Sequence, residues 1–415
     1  MSELNQGEVE VPSAELILDL PDWMGTSYSQ LQTYRACPQR WYYSYRLGLQ
    51  RPETDTMAMD FGSWWHLLRA CDSIDRGREL ESLRYAPEAL EIPCEAGMLD
   101  TAGDDLQGQF WDVLDQWWEK LDPVLQEGWE EAYSEPVPAR LRALNAAWRR
   151  EYGGSTDEEP LAVEVWWTRP LSVVVGDQVI ELRLGGFVDE VYWDNRREMV
   201  VIRDHKTHTA ALSPRTSADD LTDGQLHLYA WGINPLVGTW GLPAKGVGAV
   251  AYDRVRTAKP KTPKLNLDGT LSKSITDYDA HTYTEWVGHG VYFEGRKKNG
   301  EGSGMYLPDP ELVEALSTEA ARSKWFQRTR TPINRNVVRA HLQSAVDTVR
   351  DQVNVRARIA VSQEAPRNLG RECKYCPFVE LCRVEMLKGP MPPEELAESL
   401  EIFGLTPKKP RRKTV

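Results

Sequence analysis

The spacing of hydrophobic and polar positions changes character along the chain. From Ser27 or Ser29 onward, Leu31, Tyr34, Trp41 and Tyr45 recur at helical spacing until Gly48, which predicts a capped helix. A second helix is predicted over Gly62–Ala70, carrying Trp65, His66 and Leu68. Residues 104–152 keep the helical period, with Phe110, Val113, Trp117, Leu121, Leu125 and Trp129 on one stripe. Such a stripe reads first as core, and second as a platform for stacking bases. The period then shortens to two. LAVEVWWT (161–168), LSVVV (171–175), VIELRLGGFVDEVYW (179–193) and EMVVIRDHKT (198–207) alternate and are rich in β-branched residues, with turns at Gly176-Asp177 and Asp194-Asn195. A helix over 218–233, a strand over 247–255 and a Pro/Lys/Gly-rich loop over 257–275 follow, then helices over 309–329 and 332–356. Residues 1–22 read as a flexible leader, and no internal repeat is visible. Helices flanking a mixed sheet make this an α/β chain.

Composition narrows the function classes. Of 415 residues, 41% are hydrophobic and 27% charged, enough apolar material for a sizeable core and against wholesale disorder. No run of 18 uncharged apolar residues occurs, so no membrane-spanning helix is expected. The first residues, MSELNQGEVEVP, are acidic and lack the apolar stretch of a secretory signal, so a cytoplasmic protein is expected. A GxxxxGK[ST] phosphate loop is also missing, which argues against an intrinsic motor. The net charge of −14 speaks against a polyanion partner, but the charge is segregated. Residues 75–165 are acidic, whereas 254–298, 320–350 and the tail (Lys408, Lys409, Arg411, Arg412, Lys413) are basic. One surface can then attract a polyanion while another repels it.

The most informative stretch is GGFVDEVYWDNRREMVVIRDHKT, residues 185–207. It reads as a hairpin turning near Asn195-Arg196, which sets Asp189 opposite about residue 202, within one pleat of Asp204. Two carboxylates at that range repel unless a cation lies between them, and an oxygen-rich site suits Mg²⁺. Asp204 and Lys206 share a face of an extended strand, so the ammonium can orient water or stabilise a phosphoryl oxygen. Gly186 precedes Asp189 as G-x-x-D, His66 ends a G-x-x-x-H, and Gln225 and Tyr229 lie four apart on a helix. Glu164, on the preceding strand, is either a supporting carboxylate or an exposed one. Six cysteines in such a chain read as thiols or metal ligands, and Cys373, Cys376 and Cys382 form C-x2-C-x5-C. Cys71 and Cys94 stand alone.

In order, SYSQLQTYRACPQRW, GSWWH, GFVD, DHKT, QLHLY and the cysteines resemble the RecB-like, iron–sulfur exonuclease branch of the PD-(D/E)xK nuclease superfamily, related to CRISPR-associated and AddB/RecB nuclease domains. The resemblance spans about 27–385 and implies a restriction-endonuclease-like mixed sheet flanked by helices. It implies one nuclease domain over 23–390, with a helical insertion at 67–160, a catalytic sheet core at 161–255 and C-terminal helices with the cysteines at 305–385, before a basic tail at 391–415. Carried over, His66, Asp189, Asp204 and the backbone carbonyl of His205 would hold Mg²⁺ or Mn²⁺. Lys206 would be the catalytic lysine, with Gln225 and Tyr229 lining the site. Cys37 would join Cys373, Cys376 and Cys382 on a [4Fe–4S] cluster, with zinc as the rival metal.

The activity implied is ATP-independent, metal-dependent DNA cleavage, more exonuclease than endonuclease, on single strands or ends in recombination, repair or phage DNA processing. A recombinase, helicase or single-strand annealing protein would be its partner. Arg254, Arg256, Lys259, Lys261, Lys264, Arg296, Lys297, Lys298, Arg322, Lys324, Arg328, Arg330, Arg335 and Arg339 are candidate backbone contacts, with Trp325 and Phe326 to stack bases; a solvated helix face is the plainer reading. The rival functions are a non-catalytic DNA-binding or recombination-partner protein, and a zinc-stapled RNA-processing enzyme.

Overall fold

The architecture comes from a computed structural model, which describes residues 25–50, 57–80, 83–85, 87–94, 97–100, 105–153, 157–214, 217–261, 266, 271–273, 279–288, 293–294, 301–302, 307–362, 365–389, 391 and 393–407. The leader at 1–22, Lys264, Arg296, Lys297, Lys298 and the basic tail from Lys408 lie outside these residues.

A short strand β1 (Gly25–Ser27) leads into α1 (Tyr28–Ala36), capped by the Ser27 hydroxyl accepting from the Gln30 N–H. The helix α2 (Met57–Gly77) is followed by strand β2 (Arg84–Tyr85). The predicted helical run at 104–152 is three helices, α3 (Leu106–Lys120), α4 (Pro123–Tyr133) and α5 (Val137–Tyr152). Pro123 and Pro138 sit in first turns, where a missing N–H costs nothing, and so divide the run. Next come β3 (Glu158–Val175), β4 (Gln178–Asp194), β5 (Met199–His208), α6 (Gly224–Val237) and β6 (Val247–Arg256).

The expected helix at 309–329 is replaced by two short helices, Pro310–Leu316 and Glu319–Arg322, and then by strand β7 (Phe326–Pro332). Its sequence FQRTRTP alternates, but with polar residues on both faces, so it does not look like a buried strand. The long helix α7 (Arg335–Ser362) follows, and then two ten-residue helices, α8 (Val379–Lys388) and Pro393–Ile402.

The sheet order is β7-β6-β5-β4-β3-β2, with β1 parallel to the far end of β4. β5 and β6 are parallel, joined through α6, while β3, β4 and β5 form an antiparallel meander. Two apolar cores cover the two faces. On one, Trp167, Val188, Val191, Ile202, Val250 and Tyr252 pack against Leu226, Tyr229 and Ile233 of α6 and Ala345, Val349 and Val353 of α7. On the other, Val163 and Val255 meet an aromatic cluster built by α2 to α5, including Trp64, Trp65, Phe110, Trp117, Trp129 and Trp148. Phe110, Trp117 and Trp129 of the expected stripe are therefore core, each adding roughly 1.5–3 kcal/mol by burial. They are not a surface for bases.

The hairpin β4–β5 turns through four residues, 195–198, and its ladder runs from Asp194↔Met199 to Glu190↔Arg203. This register is two residues from the expected one. Continued one step, it sets Asp189 against Asp204 itself.

Candidate active site

Beneath the site lies a buried ion network. Arg203, 1% exposed, donates to Glu190 at 2.8 Å and to Glu158 at 2.5 Å. Asp253 accepts two bonds from Arg328, at 2.9 and 2.6 Å. Burial works against the Glu190 carboxylate, but Arg203, then Arg76 and His205, outweigh it and hold its pKa at about 2. Burial likewise opposes Asp253, yet Arg328 holds its pKa well below the carboxylate range. The network keeps β4, β5, β6 and β7 in register just behind Asp189 and Asp204.

The arginines assigned to DNA belong to this interior. Arg254 pairs with Asp220 at 2.8 Å and lies over the Tyr252 ring. Arg256 lies over Trp325, itself buried. Arg328 holds Asp253, and Arg330 pairs with Asp194 and donates to the Tyr192 hydroxyl at 2.8 Å. Arg254, Arg328 and Arg330 are corrected from backbone contacts to internal ion pairs, because β6 and β7 are packed strands whose carboxylates need cations, and Arg256 is corrected to a buried ring contact. Trp325 at 3% exposure and the half-buried Phe326 stack no bases either.

The active-site groups converge at the open end of the hairpin. Half-buried His66 presents Nδ1 at 3.3 Å from Asp189 Oδ2 and 4.0 Å from Glu164 Oε1. His66, Glu164 and Asp189 each offer a ligand atom, all within 4.8 Å of one another. Asp189 also accepts the His205 N–H at 2.7 Å, which ties β4 to β5 where their ladder ends. The His205 ring lies on the other side, between Glu190 and Asp253, and burial lowers its pKa to about 4.

Asp204 is fully enclosed and faces Lys206, whose Nζ lies 2.8 Å from Oδ2. Gln225 joins them: its amide donates to Asp204 at 3.0 Å and its carbonyl accepts from Lys206 at 3.2 Å. Tyr229 lies 3.4 Å further along the same chain of contacts. Burial, then the Asp189 charge, pushes the Asp204 carboxyl up to about 7. Burial opposes the Lys206 ammonium, but Asp204 and Asp189 outweigh it and raise its pKa. The structure thus forms two adjoining sets, His66 with Glu164 and Asp189, and Asp204 with Lys206, Gln225 and Tyr229; Asp204, expected as a metal ligand, falls in the second set and Glu164 stands in the first.

Two glycines permit this approach. A Cβ on Gly62, one turn before His66, would lie 3.2 Å from Thr207 Oγ1, so its absence lets α2 close on β5. A Cβ on Gly186 would lie 3.0 Å from the Tyr229 ring. Glu164 has φ 48, a left-handed conformation uncommon for a non-glycine in a strand, and strain of this kind gathers at functional sites. Val163 faces the helical core and Trp167 the α6 core, so the strand changes face at Glu164. The side-chain alternation of LAVEVWWT does not reveal this switch.

A protein-family model described as PD-(D/E)XK nuclease superfamily matches residues 26–383, from β1 to the third clustered cysteine. The chain belongs to the PD-(D/E)XK nuclease superfamily. Nucleases of this superfamily typically use divalent metals, and one imidazole nitrogen with two carboxylates is a donor set that suits such an ion. The raised Asp204 pKa fits as well, because a nearby cation relieves the repulsion between buried carboxylates. No curated protein matches the chain. Among solved structures, one titled "Crystal structure of SSO0001" aligns at 13% identity with a TM-score of 0.24, covering 67% of this nuclease and 96% of that chain. Among the described residues, no helix of the nuclease is long and apolar enough to cross a membrane.

Cys37 lies near Cys376 and Cys382 of the C-terminal segment. Cys37 precedes Pro38 and is extended, φ −164 and ψ 116, because proline disfavours helix in the residue before it. The thiol therefore stands at a break between two helices. Burial raises the pKa of Cys376, and nearby Cys37 and Cys373 raise it further. Burial also raises Cys382, against Arg367, with Cys37 again adding to the rise. The surrounding frame is well bonded: Glu385 accepts from Gln39 at 3.1 Å, Tyr43 at 2.5 Å and Arg367 at 2.8 Å. Among the described residues, the ligand atoms lying within 4.8 Å of one another are those of His66, Glu164 and Asp189, and no cysteine is in that group. Cys71 is buried and Cys94 exposed.

Proposed function

We propose that this nuclease is a DNA exonuclease dependent on Mg²⁺ or Mn²⁺ and independent of ATP, acting on ends or single strands in recombination, repair or phage DNA processing. The observation that carries this reading is the His66–Glu164–Asp189 group beside the Asp204–Lys206–Gln225 contacts. A metal held by His66, Asp189, Asp204 and Glu164, with the His205 carbonyl, would supply Lewis-acid stabilisation of phosphoryl charge and a more acidic water. Lys206 is held by Asp204 and Gln225, so its ammonium can meet a phosphoryl oxygen without first reorganising. Gln225, which also reaches the Tyr229 hydroxyl, helps to fix that lysine. His205 supports Asp189 through its amide.

In this reading the cysteine centre holds a [4Fe–4S] cluster on Cys37, Cys373, Cys376 and Cys382, a structural staple within one nuclease domain over 23–390. The partner is DNA, brought by a recombinase, helicase or single-strand annealing protein. The test is degradation of end-labelled single- and double-stranded DNA with Mg²⁺ or Mn²⁺ and no ATP, beside Asp204→Ala. Metal-dependent cleavage lost in the variant and in EDTA supports the reading, and 5′ against 3′ labels give its polarity. DNA binding without cleavage by iron-replete protein would instead make it a binding module on a nuclease fold.

A further inference from the structure

Of the tryptophans whose burial is described, only Trp166 is exposed, at 50%. A single exposed apolar residue needs no explanation. This one has specific company. It pairs across the sheet with Phe187, ring centroids 4.8 Å apart. Its ring also lies against Gly185, where a Cβ would come within 2.8 Å of the Trp167 carbonyl oxygen and 3.1 Å of Trp166 Cζ2. Trp166 and Phe187 are each two residues from a member of the metal-site group, Glu164 on β3 and Asp189 on β4. Two residues along a strand span about 7 Å, the scale over which one nucleotide reaches from phosphate to base. Two residues further on β3, the Thr168 hydroxyl accepts from Nε of exposed Arg183 at 3.0 Å. Trp167 points into the α6 core, so Trp166 emerges on the side of the sheet that α2 covers, where His66 arises.

We propose that the exposed Trp166 ring, buttressed by the tilted Phe187 ring beside it, is a stacking platform for one base of single-stranded DNA, next to the phosphate at the metal site, with Arg183 beyond it on the neighbouring backbone. The occupant is a single strand because a paired base has both faces already stacked. Stacking tolerates any base, so the platform positions a strand without reading its sequence. The proposal rests on the nuclease reading and assigns its substrate as an unpaired end.

The test is equilibrium binding in EDTA, by fluorescence anisotropy, of a labelled single-stranded 15-mer and the matching blunt duplex. Trp166→Ala should weaken single-strand binding roughly 5- to 150-fold and leave duplex binding unchanged, while Trp166→Phe restores most of the loss. An abasic site moved along the 15-mer should reproduce the loss at one position in the wild type, and cost nothing more at that position in Trp166→Ala. Equal single-strand binding by wild type and Trp166→Ala, or equal loss on both DNAs, overturns the platform while leaving the nuclease reading intact. No binding of either DNA by the wild type overturns both.

Discussion

Replacing Arg203 by methionine removes the cation that the interior is built around. The guanidinium is 1% exposed and sits between Glu190, Glu158 and, at 4.0 Å, Asp253. Methionine fills much of the volume but leaves the carboxylates without their common partner. Breaking a buried pair on one side costs about 3–5 kcal/mol. Glu190 gives a second measure, because its pKa of about 2 against an ordinary 4.5 corresponds to roughly 3 kcal/mol. Arg76, His205 and Ser73 supply part of that depression, so a loss of about 3 kcal/mol is expected at pH 7. The pH dependence has a definite sign. A carboxyl depressed in the folded state adds stability above its unfolded pKa and loses it as pH falls through its folded one. The gap between wild type and Arg203→Met should therefore be fullest at pH 8 and shrink as pH falls, first as the orphaned, buried Glu190 of the variant takes up a proton and then from about 4.5 toward 2 as wild type loses its own stabilisation. Urea unfolding of the metal-free proteins measures this. The double variant Arg203→Met/Glu190→Met should recover a large part of the loss, since the orphaned charge is removed as well. A single variant within about 1 kcal/mol of wild type, or a double variant less stable than the single, would refute the reasoning.

Lys206→Ala should lower DNA cleavage by at least roughly 100-fold while anisotropy shows unchanged DNA binding. Asp204→Asn should abolish cleavage yet stabilise the metal-free fold at pH 8. The folded carboxyl, at about 7 instead of 3.8, binds the extra proton between those values, so wild-type stability falls as pH rises through that window. Thermal unfolding in EDTA at pH 8 and pH 4 checks it, with the gain present at the first and absent at the second. Gly186→Ala should cost about 1–3 kcal/mol and reduce turnover by displacing Tyr229, which a steady-state assay beside urea unfolding resolves. Cys373→Ala should lose visible absorbance and iron and lower soluble yield; stability equal to wild type would end the staple idea.

Much of the site was legible because its chemistry needs particular side chains at fixed spacing. Asp204 and Lys206 two apart on a strand, and Gln225 and Tyr229 four apart on a helix, meet as that spacing demands. The hairpin was legible too, but not its register, since a four-residue turn and a two-residue turn both fit Asp194–Glu198. Glu164 was left undecided because a left-handed backbone inside a strand has no side-chain signature. The arginines were misplaced for a different reason. Arg254, Arg328 and Arg330 have buried carboxylate partners far away in sequence, and composition does not show who pairs with whom. Strand β7 escaped for the same reason, as its polar alternation makes sense only against an interior lined with charge.

The frame around the cysteines also sets a clock. Gln39 meets Glu385 across 346 residues of chain, so at about 5–20 residues per second the segment around Gln39 waits roughly 17–70 s on the ribosome for its partner. Over that interval Tyr34, Trp41 and Tyr43, all buried in the finished protein, have no native surface from α7 or α8 to cover them. This segment is thus made long before the surfaces that cover it. Chaperone demand should concentrate there, and a chain that stops short of α8 would release its beginning as well as lose its end.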